Sequence, residues 1–114
     1  MIPTSAYLIS QVEVLDPEAW ENYRVRAAKV IAQFGGRYLV RGAQAEVIEA
    51  DWPAEEPPPQ SVIVAEFPSL EALKAWYASP EYAEAFAFRA AAVKRRLIFV
   101  AGLDDQPNNA NQQG

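Results

Sequence analysis

The strands of this chain have more apolar surface than its helices can cover. Residues 61 to 67, SVIVAEF, put Val62, Val64 and Glu66 on one face and Ile63, Ala65 and Phe67 on the other, because successive side chains of a strand alternate. Residues 6 to 14, AYLISQVEV, divide into Tyr7, Ile9, Gln11 and Glu13 against Ala6, Leu8, Ser10, Val12 and Val14. A last strand, Leu97 to Ala101, sets Ile98 and Val100 against Leu97 and Phe99. A sheet with one wet face shows clean polar alternation, and these segments do not.

The helical signals are clear but few. Asp16-Pro17-Glu18 opens a helix, since an aspartate side chain accepts from the free amides of the first turn and proline suits the first helical position. Trp20, Tyr23, Ala27, Val30, Ile31 and Phe34 then recur at helical spacing, and Gly35-Gly36 stops the run, so the helix spans about 17 to 34. Arg37 to about Ala50 is a second strand region, interrupted at Gly42-Ala43, and DWPAEEPPPQ after it reads as an exposed loop. Ser69 caps a helix bearing Leu70, Leu73, Trp76 and Tyr77. Ser79-Pro80-Glu81 repeats the start signal, predicting a break and a further helical piece with Tyr82, Phe86, Ala90 and Val93 on one side. Residues 103 to 114 are expected to form a disordered polar tail.

The order β-α-β-β-α-β predicts one α+β domain over residues 1 to 102, a ferredoxin-like four-stranded antiparallel sheet with its helices on one face. The economical cover for the other face is a second copy of the same sheet, giving a symmetric homodimer with a barrel-like interior.

Composition narrows the chemistry. At 114 residues and 12.6 kDa there is room for one core, and a net charge of -5 with pI near 4.7 argues against a nucleic-acid partner. The chain has no Cys and no His, which removes thiolate nucleophiles, the commonest acid/base group and the commonest zinc ligand. No cofactor and no metal is expected, and the acids Glu49, Asp51, Glu55 and Glu56 read as surface charge. The N-terminal stretch has neither a basic leader nor a long apolar run, so a cytoplasmic protein with no membrane partner is the expectation.

Several motifs occur together: AYLISQVEV with DPEAWENY, GGRYLVRG at 35 to 42, EADW at 49 to 52 and EFPSLEALKAWYASPEY at 66 to 82. In this combination, over residues 6 to 102, the chain resembles the family called domain of unknown function 1330, within the dimeric α/β-barrel, ferredoxin-like superfamily. The resemblance implies the dimeric fold inferred above and carries no assigned reaction. Relatives in the wider superfamily oxidise or isomerise small aromatic or lactone compounds.

Glu66 is the candidate catalytic carboxylate, because desolvation in an apolar strand would raise its pKa toward a range useful for proton abstraction. The competing reading is a structural ion pair with Arg41 on the neighbouring strand. Facing a cavity, Arg41 would instead clamp a substrate carboxylate. Trp52, Trp76, Tyr77 and Tyr82 are the candidate ligand-binding aromatics, with Trp76 at a spacing that also suits plain core. Tyr7 and Tyr38 divide between dimer interface and pocket, and Lys94-Arg95-Arg96 reads as a solvated helix end. The leading reading is a homodimer with a pocket for a small apolar or aromatic ligand between sheet and helices. The alternative is a cofactor-independent monooxygenase-like or isomerase-like enzyme in which Glu66 shuttles a proton and Arg41 stabilises an oxyanion. A third is an interaction module whose pocket is filled by side chains.

Overall fold

The computed structural model describes residues 4–51, 61–90 and 92–103. The first strand, β1 (Ala6–Val14), buries Ala6, Leu8, Ser10 and Val12 and leaves the alternate residues half-buried. The Asp16 side chain then accepts from the amides of Glu18 and Ala19 at 3.1 and 3.2 Å, and Pro17 begins α1 (Pro17–Gln33). This helix buries Trp20, Tyr23, Ala27, Val30 and Ile31. Gly35, at φ +82, supplies the left-handed step that turns the chain into β2 (Arg37–Ala43).

After β3 (Ser61–Phe67), Ser69 caps α2 (Leu70–Ala78). Ser79 then ends α2 and starts α3 (Pro80–Phe86): its hydroxyl donates to the Trp76 carbonyl at 2.8 Å and accepts from the Tyr82 amide at 3.0 Å. The break expected at Ser79-Pro80-Glu81 is present.

Two expectations fail. The helical piece does not reach Val93; β4 occupies Val93–Ala101 and so begins four residues before Leu97. Val93 pairs with Val14, and the Ala92 carbonyl accepts from both the Leu15 and Asp16 amides at 2.7 and 3.0 Å, so backbone pairing across the sheet end overrides the helical propensity of the alanine run. The second strand region stops at Ala43, with residues 44–51 exposed, because Gly42 at φ +84 breaks the register between Arg41 and Ala43. The proline-rich loop and the polar tail from residue 104 lie outside the described residues.

All strand pairs are antiparallel and the spatial order is β2-β3-β1-β4, the ferredoxin-like arrangement. The three helices share one buried core with Leu8, Val12, Ile63, Ala65 and Phe67. On the opposite face, register aligns Tyr7 with Glu66 and Val100, Ile9 with Val64 and Ile98, and Gln11 with Val62 and Arg96. Its apolar centre is thus rimmed by charge. Among the described residues no helix is long and apolar enough to cross a membrane, and no group of acids is placed to hold a metal ion.

Gly36 is where the α1 turn meets the sheet most tightly: a Cβ there would lie 2.7 Å from Ile31 Cγ2 and 2.8 Å from Phe67 Cζ. We expect Gly36→Ala to destabilise the fold by about 1–3 kcal/mol, the usual cost of forcing extra volume into a packed core. Urea unfolding measures it; an unchanged midpoint would contradict this packing.

Candidate functional site

A partly buried cation stands on the helix side of the sheet. Alternation along β4 places Val93, Arg95, Leu97 and Phe99 toward the helices, with Arg95 beside Val12 of β1. Its guanidinium is held from three sides. Nε donates to Ser10 Oγ at 3.0 Å, and Nη1 donates to the phenol oxygens of Tyr23 at 2.7 Å and Tyr82 at 3.3 Å. The two hydroxyls share a further bond of 2.8 Å. Helix positions fix both phenols: Tyr23 stacks on Trp20 along α1 at 5.4 Å, and Tyr82 follows the Ser79 cap and packs 4.4 Å from Trp76.

Burial, reinforced by the neighbouring Tyr23, pushes the Tyr82 hydroxyl well above the ordinary phenol range, with Arg95 opposing. Burial likewise raises Tyr38 against the pull of Arg41, Arg24 and Arg95. For Arg95, burial works against the charge, but the two phenol oxygens outweigh it and the group stays protonated. At neutral pH Arg95 is therefore a cation and the Tyr82 phenol beside it is neutral. Because the Tyr23–Tyr82 bond uses one phenolic hydrogen, the other has no acceptor within the cluster.

Arg95 forms a wall between two clefts. On one side Trp20, Tyr23, Arg24, Ala27 and Ile31 of α1 face Leu8, Tyr38, Arg41 and Ile63 of the sheet, leaving about 20 Å³. On the other, Tyr77, Tyr82, Phe86, Arg89 and Leu97 border an open cleft of about 120 Å³. One water needs roughly 10–15 Å³ of such space, so the first has room for a single water and the second for a small ring. The linings contain Arg24, Arg41, Arg89 and Arg95 and no carboxylate.

The residues singled out from sequence do not converge. Tyr77 and Tyr82 line the wider cleft and Arg41 the narrower one. Trp76 is fully buried in the core, where its indole N–H finds no acceptor among the described residues. Trp52 lies outside the described residues. Tyr38 lines the narrower cleft, and Tyr7 lies on the opposite sheet face, donating to Glu66 at 3.3 Å.

The Arg41–Glu66 pair is not formed. Register sets Arg37 opposite Glu66 and Arg41 opposite Ile63, so Arg41 and Glu66 occupy opposite faces of the sheet. Glu66 accepts instead from Arg37, Nη2 at 2.8 Å and Nε at 3.0 Å, while the Arg41 guanidinium sits 4.5 Å over the Tyr38 ring. The hydrogen bond from Arg37, with a smaller one from Ser5, lowers the Glu66 pKa, the reverse of the shift expected for a catalytic base. Lys94-Arg95-Arg96 is no helix end but the start of β4, and alternation from Leu97 and Phe99 back to residue 95 was the signal that marks Arg95 as inward-facing.

The model of one family, Domain of unknown function (DUF1330), matches residues 5–103. No curated protein sequence matches the chain. Among solved structures, the chain is similar to RPA0582, a protein of unknown function from Rhodopseudomonas palustris, at 25% identity and TM-score 0.71, covering 89% of this chain and 84% of that one. It is also similar to SnoaB, a cofactor-independent oxygenase from Streptomyces nogalater, at 16% identity and TM-score 0.62, over 91% and 98% of the two chains. A dimeric ferredoxin-like protein of unknown function from Thermobifida fusca aligns at 15% identity and TM-score 0.59, over 87% and 92%.

A carboxylate with a lowered pKa in the folded state stabilises above its unfolded pKa, and that contribution disappears as pH falls through the folded value. Relative to the native chain, Glu66→Gln should be slightly less stable at neutral pH, and the difference should close below about pH 4.3. Melting temperature against pH checks it; curves that stay parallel into acid would show that the Arg37 pair contributes nothing.

Proposed function

The chain belongs to the domain of unknown function 1330 family, and from that premise we propose that it is a homodimeric small-molecule binding protein whose ligand is a small aromatic or apolar compound. The observation that carries this reading is the wider cleft beside Arg95. Tyr77 and Phe86 offer ring faces there, while Arg95 and the Tyr82 hydroxyl offer polar groups held in place by Ser10 and Ser79. Small-molecule sites combine an apolar lining with a few fixed polar groups in this way.

The dimer forms through the sheet face that the helices leave bare. Tyr7, Ile9, Val62, Val64, Ile98 and Val100 supply an apolar centre, and Glu66, Arg37, Lys94 and Arg96 a charged rim, the usual anatomy of a protein interface. The dimeric state of the Thermobifida fusca protein, which is similar in fold, supports a dimer. The enzyme reading has less support: Glu66 lies across the sheet from the clefts, and likeness to an oxygenase at 16% identity is a likeness of fold.

Sedimentation at micromolar concentration should report a species of twice 12.6 kDa; one that stays at the chain mass would remove the dimer. Melting against a panel of small aromatic and apolar compounds tests the site, since a ligand at one hundred times its Kd adds about 2.7 kcal/mol of stability. A panel without a single shift would overturn the binding function.

A further inference from the structure

We propose that the ligand of the wider cleft is an aromatic anion of the benzoate type, its carboxylate held by Arg95 and Arg89 and its ring by Tyr77 and Phe86. This rests on the small-molecule reading above and adds the sign of the ligand's charge.

The chain carries a net charge of -5, yet the walls of both clefts are cationic and lack acids. Arg95 has no carboxylate within ion-pair distance among the described residues, although burial of a guanidinium favours a counter-charge. Its Nε and Nη1 are committed to Ser10 and the two phenols, and no hydrogen bond is formed by Nη2 among the described residues. Arg89, on the rim of the same cleft, holds its guanidinium 5.3 Å from the Phe86 ring centroid and has no ion pair among the described residues. The spare phenolic hydrogen completes the set: when Tyr23 donates to Tyr82, the Tyr82 hydroxyl is free to donate to an occupant of the cleft it lines. Two guanidinium groups and the hydroxyls of Tyr77 and Tyr82 therefore border a space whose lining holds no carboxylate, which suits a carboxylate ligand and leaves a neutral or cationic one less well matched. The pull of Arg41, Arg24 and Arg95 on the Tyr38 phenol shows the same positive field on the far side of the wall.

The test compares benzoate with benzamide, which has nearly the same shape and no charge, by calorimetry and thermal shift on the full chain. Benzoate should bind at least about tenfold more tightly, since bonds to a charged acceptor are roughly twice as strong as neutral ones. Arg89→Gln, which removes a rim charge without touching the core, should weaken benzoate severalfold and leave benzamide unchanged. Equal affinity for the two compounds, or equal loss of both in the variant, would overturn the anion and leave the pocket standing. Failure of every compound, the neutral panel included, would overturn the pocket itself.

Discussion

The interaction on which this structure turns is the partly buried guanidinium of Arg95. A cation placed between sheet and helices needs partners for its donors, and here those of Nε and Nη1 come from three elements: Ser10 from β1, Tyr23 from α1 and Tyr82 from α3. One side chain thus ties the long helix and the short helix to the sheet at a single point. Burial resists ionisation of the Tyr82 phenol, and Arg95 stays charged beside it.

Much of the fold was legible in the residues. β3 is found where SVIVAEF places it, Asp16-Pro17 and Ser79-Pro80 start helices as their chemistry dictates, and Gly35 ends α1 through its positive φ. These features are local: each depends on atoms within a few residues. What escaped were features decided across the sheet. The alanine-rich stretch before Val93 has helical propensity, whereas bonds from Leu15 and Asp16 to the Ala92 carbonyl join the chain to the sheet end there. Similarly, whether Arg37 or Arg41 meets Glu66 depends on register and on shifts within β2, which no spacing in the sequence encodes.

The candidate site was legible only in part, for the same reason. Tyr77 and Tyr82 were visible because helical periodicity and the SPEY corner mark them, and they do border the wider cleft. Arg95 was hidden by its neighbours. A run of three basic residues reads as solvated charge, whereas in a strand the run splits: Lys94 and Arg96 face one way and Arg95 the other. Glu66 drew notice as a lone acid in an apolar strand, but it looks away from the clefts and already has a partner.

The irregular edge of the sheet bears on stoichiometry. β2 is an outer strand, and its pairing with β3 shifts twice, between Tyr38 and Val40 and again between Arg41 and Ala43. β4, the other outer strand, carries Lys94 and Arg96. A kinked or charged edge is a poor template for another strand. Growth sideways by strand addition, which has no natural end, is therefore discouraged at both borders. The bulges of β2 and the charges of β4 close the sheet at four strands.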